Sequence, residues 1–168
     1  EATGSLERAA EIRRLVGDDF GLMSGDDFTA MAFVAQGGNG CISVISNILP
    51  APTASMLEAA ASGDLPRARS LNLRLLPICR ALFVESNPIP VKTACARLGL
   101  IPTAQLRMPL SPLSQAGAAQ LEAALKGLGR EGNRAPRPAP TLGPGEVPDR
   151  EEAEANTVEF ELNDEDAP

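Results

Sequence analysis

The sequence predicts an α/β fold with parallel strands, continued by an all-helical region and followed by an acidic tail. Three observations lead there. Residues 1–62 alternate helical and strand-like patterns, the rhythm of a parallel sheet with crossover helices. From Asp64 to Gly129 every periodic segment is helical. The whole net charge of −7 falls in the last part of the chain: residues 1–129 hold eleven acids and eleven bases, residues 130–168 eleven acids and four arginines.

In chain order, Ser5 is placed to cap a helix with Glu7 in its first turn, where an acid suits the dipole. Leu6, Ala9, Ile12, Leu15 and Val16 form its expected apolar face, and Gly17 stops it. Phe20 to Met23 is a short apolar run of the kind a buried parallel strand shows. After Ser24-Gly25-Asp26-Asp27, an Asp can cap a helix bearing Phe28, Met31 and Val34. Residues 36–40 read as a glycine-rich loop, Cys41 to Ile45 as a second strand, and a helix through Met56 and Leu57 ends at Gly63. Asp64 caps a long helix striped by Ala68, Leu71, Leu75, Ile78 and Leu82. Pro88 and Pro90 break it, because proline lacks a donor and restricts the residue before it. A shorter helix spans Pro90 to Leu98, Ile101 to Leu110 is an irregular connector, and Ser111-Pro112 is expected to open the last helix, with Leu113, Leu121, Leu125 and Leu128 inward.

The domain boundaries expected are 1–63, 64–129 and 130–168. The tail carries six of the fifteen prolines, and low hydrophobicity with high net charge predicts disorder. Thr157 to Leu162 alone alternates apolar and polar residues, as a half-buried strand does when an exposed sheet edge is available.

Composition excludes several chemistries. With no His, Tyr or Trp, the chain supplies no Ser-His-Asp or Cys-His pair, no histidine metal site and no tyrosine relay. Three scattered cysteines without a CxxC pair read as reduced thiols of a cytoplasmic protein. No apolar run is long enough for a membrane span, and no basic stripe with aromatics suggests nucleic acid. No cofactor is implied. Two strands leave open edges and faces, and the chain starts without Met, so it is expected to be the end of a longer protein.

Five motifs in register carry a resemblance. Glu1-Ala2-Thr3-Gly4, Leu22 to Asp27, Gly37 to Val44, Leu82 to Lys92 and Leu106 to Leu113 resemble the C-terminal part of the dihydrodipicolinate synthase family. The resemblance covers roughly residues 1–129 and implies the last two strands of a (β/α)8 barrel plus a C-terminal helical extension. It implies a Schiff-base lyase that condenses pyruvate with aspartate-4-semialdehyde in lysine biosynthesis, commonly as a homotetramer. It also implies that the imine-forming lysine immediately precedes Glu1. No catalytic residue is then expected within the chain, which alone should be inactive.

Gly25, Asp26 and Ile42 are the expected substrate-binding residues. Gly25 follows a strand end, where barrel enzymes build their sites and where glycine lets backbone approach a ligand. Asp26 and Asp27 could face the semialdehyde amino group, though capping alone accounts for an Asp. By periodicity Ile42 is a core residue; the resemblance instead places it beside pyruvate, its main chain on the keto acid, with Gly40 and Ser43 as weaker neighbours. Lys92 reads as structural, because imine formation wants a desolvated amine near a strand end. The alternatives are a related aldolase (N-acetylneuraminate lyase or a 2-keto-3-deoxy sugar acid aldolase) or a non-catalytic remnant that binds a partner.

Overall fold

The computed structural model describes residues 1–128. In chain order it contains α1 (Leu6–Val16), β1 (Met23–Ser24), α2 (Ala30–Ala35), β2 (Gly40–Cys41), a 3-10 turn (Ile45–Asn47), α3 (Pro50–Ala61), α4 (Leu65–Leu82), α5 (Ile89–Arg97) and α6 (Gln115–Leu128). Strands β1 and β2 are parallel, with Met23 opposite Gly40 and Ser24 opposite Cys41. The chain divides into two compact units, Glu1–Arg80 and the part from Ala81 on. The division falls inside α4. The expected acidic tail, 130–168, lies outside the described residues.

In the first unit, α1 starts where Ser5 Oγ accepts the Arg8 N–H at 3.1 Å and stops at Gly17, whose φ of 73° suits glycine. Its inward face is narrower than its pattern suggests. Ala9 is buried and Leu6 and Ile12 partly so, but Leu15 is 72% exposed. At 3.6 residues per turn, Leu15 sits roughly 120° around the helix from Ala9, off the packed stripe. Leu22, Phe33, Val34, Ala59, Ala60 and Ala68 complete this core with Ala9. The long α4 follows its sequence pattern closely: Asp64 Oδ1 accepts the Arg67 N–H at 3.2 Å, and all five stripe residues are buried.

Both strands differ from the expected spans. Phe20 is exposed and its carbonyl accepts from Arg13 at 2.9 Å, so the strand begins only at Met23. The β-branched run after Cys41 turns away because side chains take its amides. Asp27 Oδ2 accepts the Val44 N–H at 2.7 Å, and Ser43 Oγ accepts the Ser46 N–H at 3.0 Å. Side-chain acceptors here compete successfully with the ladder. Helix α2 likewise opens late, at Ala30, because Asp26 Oδ2 takes both the Thr29 N–H (3.0 Å) and hydroxyl (2.6 Å).

In the second unit, α5 buries Ile89, Val91, Ala94 and Cys95, and α6 buries Leu121. Helix α6 opens at Ser114, not Ser111: Ser114 Oγ accepts the Gly117 N–H at 3.0 Å, and Glu85 Oε1 receives the Ser114 N–H at 3.1 Å. Leu113 therefore precedes the helix. A Cβ at Gly117 would stand 2.6 Å from Glu85 Oε1 and 2.8 Å from Leu113 Cδ1, so both side-chain ends would have to shift to admit one. Arg97 and Glu122 pair between α5 and α6.

The loops entering β1 and β2 are held by one side chain that sequence patterning does not single out. Arg13 donates through Nη1 to the carbonyls of Gly17 (2.6 Å) and Phe20 (2.9 Å). Through Nη2 it donates to the Gly37 carbonyl (2.7 Å) and Asn39 Oδ1 (2.8 Å). Asn39 Oδ1 also accepts the Leu22 N–H at 2.7 Å, so one guanidinium and one amide fix both strand entries. Hydrogen bonds to a charged donor each contribute more than neutral ones, and lysine cannot reproduce the fork. Arg13→Ala should lower stability by about 2–4 kcal/mol, read as the urea midpoint at unchanged slope. Exposed Arg14→Ala should stay within about 0.5 kcal/mol. Equal effects of the two substitutions would remove Arg13 from this role.

Candidate functional site

The backbone ladder extends beyond the two formal strands. The Glu1 nitrogen donates to the Met23 carbonyl at 2.8 Å, and the Gly25 N–H donates to the Glu1 carbonyl at 2.8 Å. This is the bond pattern of a parallel bridge between Glu1 and Ser24. On the other side the Asn39 N–H reaches the Leu22 carbonyl (2.8 Å) and the Ile42 N–H the Ser24 carbonyl (2.7 Å). Three parallel segments therefore lie side by side, with Glu1, Ser24 and Cys41 in one row.

Side chains alternate across such a row. Leu22 and Ser24 are buried on one face and Cys41 is partly buried there. The opposite face carries Ala2, Met23, Gly25, Gly40 and Ile42. It is open: Met23 is 37% and Ile42 72% exposed. Ile42 is thus exposed at a strand end beside two glycines, where its periodicity suggests burial. Gly25 owes its identity to its neighbour strand, since a Cβ there would lie 2.8 Å from the Ala2 Cβ. Gly40 leaves room for Met23 in the same way, at 2.9 Å from its Cε.

The two aspartates face away from this open surface in their bonding. Asp26 spends Oδ2 on Thr29, while its N–H bonds Ser24 Oγ at 3.1 Å. Asp27 is buried and ties the loop after β1 to the turn after β2 through Val44. Sequence reasoning left Asp27 between a helix cap and a group facing the semialdehyde amino group and missed this lock, because its partner lies 17 residues ahead. Ile42 and Gly25 are brought onto one face; Asp26 lies at its rim with its carboxylate engaged. Ser43 serves the 3-10 turn, where its Oγ accepts from Ser46. In the second unit, Lys92 Nζ donates to the Gln105 carbonyl and pins the connector before α6. Among the described residues no cluster of His, Cys, Asp or Glu could hold a metal ion, and no helix is long and apolar enough to cross a membrane.

A sequence model of the dihydrodipicolinate synthetase family matches residues 1–128. The chain belongs to this family. It is 53% identical over 129 residues to the 4-hydroxy-tetrahydrodipicolinate synthase of Alcanivorax borkumensis and 49% identical to that of Escherichia coli, matching 77% of this chain and 44% of either relative. The chain thus spans less than half the length of these relatives. Among solved structures, the dihydrodipicolinate synthase of Aquifex aeolicus superimposes with a TM-score of 0.72 at 38% identity, over 75% of this chain and 43% of that one. The Acinetobacter baumannii dihydrodipicolinate synthase, described as complexed with pyruvate, gives 0.71 at 37% identity over the same shares of the two chains. These neighbours assign the two parallel strands and their helices to a TIM-barrel family.

Within this family chain, cysteine is not poised as a nucleophile. Burial, with a smaller contribution from Asp27, pushes the Cys41 thiol up to about 11. Burial followed by the same aspartate takes Cys79 to about 12, and burial raises Cys95. Cys41 and Cys79 are protonated at neutral pH and become thiolates only as pH rises well past the ordinary cysteine range, and Cys95 is shifted in the same direction. A disulfide reagent at pH 8 should label native Cys41 about a hundredfold more slowly than an unfolded thiol, with the rate still climbing above pH 9. A plateau near pH 9 would contradict this environment.

Proposed function

We propose that the protein carrying this chain is a 4-hydroxy-tetrahydrodipicolinate synthase, which joins pyruvate to aspartate-4-semialdehyde through an imine on a lysine. The observation that carries the proposal is the 53% identity, over 129 residues, to a protein of that name. The relatives do not favour the related sugar-acid aldolases. In this reading the open sheet face is the wall of a closed (β/α)8 barrel, and the strand ends form part of its active-site rim. Homotetrameric assembly and a cytoplasmic location belong to the same proposal.

By resemblance, the imine-forming lysine is the residue before Glu1. A lysine there lies on the same face as Ala2, since side chains two apart share a face. Its strand is held in register by the two bonds between Glu1 and β1, and Gly25 is the residue packed against Ala2. Gly25 thereby positions the strand that presents the amine. The Ile42 N–H is committed to Ser24, so a main-chain contact from Ile42 to the keto acid falls to its carbonyl. A carbonyl accepts hydrogen bonds, which suits a hydroxyl of the carbinolamine or the N–H of the protonated imine. The exposed Ile42 side chain shields that imine from water, and the protonated thiols do not compete for the aldehyde.

Two results test the proposal in the whole protein. Borohydride trapping with pyruvate should leave Lys92 and Lys126 unlabelled and modify a lysine N-terminal to Glu1; a stable adduct on Lys92 with turnover would overturn it. Gly25→Val should cut kcat/KM for pyruvate by roughly a hundredfold or more, the scale of an ångström-sized misplacement of a reacting group. Asp26→Asn should cost far less, because the amide oxygen can still accept from Thr29. Near-normal kinetics for Gly25→Val would reduce the loop to a turn.

A further inference from the structure

The carbonyl assigned above to the keto acid belongs to a peptide group with an anchor on either side. The Ile42 N–H donates to the Ser24 carbonyl at 2.7 Å, and the Val44 N–H donates to Asp27 Oδ2 at 2.7 Å. The Ile45 N–H approaches the same carboxylate oxygen at 3.4 Å. Between these anchors, the Ile42 carbonyl receives no hydrogen bond among the described residues. Ser24 ends β1 and Asp27 lies in the loop directly after it, so one short segment holds both sides of the Ile42–Ser43 peptide. That segment is braced in turn. Ser24 Oγ accepts the Asp26 N–H at 3.1 Å, and Asp26 Oδ2 takes the Thr29 N–H and hydroxyl.

The Asp27 carboxylate does its work from the far side of the sheet. It is buried, and after burial itself it is the largest cause of the raised Cys41 and Cys79 thiols. Its charge therefore sits beside the packed flank of β2 and toward α4, away from the face that carries Ile42. We infer that Asp27 is a positioning residue for the proposed reaction: by holding the Val44 amide it sets the direction of the Ile42 carbonyl without touching substrate. The inference rests on the synthase reading given above. What matters in this role is the length of the arm. An acceptor one methylene longer pushes Val44 outward, and a shorter one lets it go; in both cases the Ile42–Ser43 peptide turns. Because that carbonyl accepts from the carbinolamine hydroxyl or the imine N–H, the cost falls on the pyruvate half of the reaction. A carboxylate that met the semialdehyde amino group would act through its charge instead, and on the other substrate.

The test compares Asp27→Asn, Asp27→Glu and Asp27→Ser in the whole protein, with rates expressed per site that pyruvate and borohydride can trap. Counting trapped sites removes losses that come only from unfolded molecules. Asparagine keeps the acceptor in place without the charge, glutamate keeps the charge at the wrong length, and serine withdraws the acceptor. The kcat/KM for pyruvate should fall roughly thirtyfold with Glu and with Ser, the scale of a reacting group displaced by a fraction of an ångström to an ångström. With Asn it should fall by no more than about threefold, and kcat/KM for the semialdehyde should stay within about threefold in all three variants. Should Glu or Ser prevent folding, the other still changes the arm and decides. Unchanged pyruvate kinetics in the folded Glu or Ser variant would leave Asp27 a purely structural role. Damage in Asn but not in Glu would make the charge decisive, and a loss confined to the semialdehyde would put the carboxylate on that substrate. Each of these overturns the inference while the synthase reading stands; failure to trap pyruvate in the unaltered protein would overturn both.

Discussion

Everything at the candidate site depends on one short parallel ladder. The Glu1, Ser24 and Cys41 backbones are paired in a row, and that pairing decides which side chains face the helices and which face the open side. A shift of one residue in any segment would exchange Ile42 for Cys41 and Gly25 for Ser24. The register is pinned locally by fit: Gly25 leaves room for Ala2, and Gly40 for Met23. Two glycines at strand ends therefore set the geometry of the face without any unusual backbone angle of their own.

The two ends of the ladder are secured by different chemistry. Before the strands, the Arg13 fork and Asn39 hold the incoming loops through main-chain carbonyls and the Leu22 amide. After them, the buried Asp27 joins the β1 loop to the turn beyond β2. This division matches the general logic of barrels, in which one end supports stability and the other presents the reacting groups. It also assigns Asp27 to architecture.

What the sequence revealed, and what it hid, follows the range of the interactions. Caps formed by Ser5 and Asp64 and the buried stripe of α4 were legible because each is decided within a few residues. The strand limits were not, since hydrogen bonds from residues well away in sequence decided them: Arg13 claimed the Phe20 carbonyl, and Asp27 claimed the Val44 amide. The α6 cap moved from Ser111 to Ser114 for the same reason, with Glu85 as the distant partner. Ile42 shows the limit most clearly. Its hydrophobic pattern indicates burial, whereas the resemblance of the surrounding motifs implies a face turned toward a ligand; its side chain is 72% exposed.

The central claim is that the face bearing Ala2, Gly25 and Ile42 is the wall against which pyruvate reacts. A crystal structure of the whole protein after pyruvate binding and borohydride reduction tests it most directly. The account predicts a reduced adduct on the lysine preceding Glu1, its former keto carbon over this face and the Ile42 carbonyl within hydrogen-bonding distance of the adduct. An adduct on another residue, or one separated from Ile42 by the sheet, would contradict it.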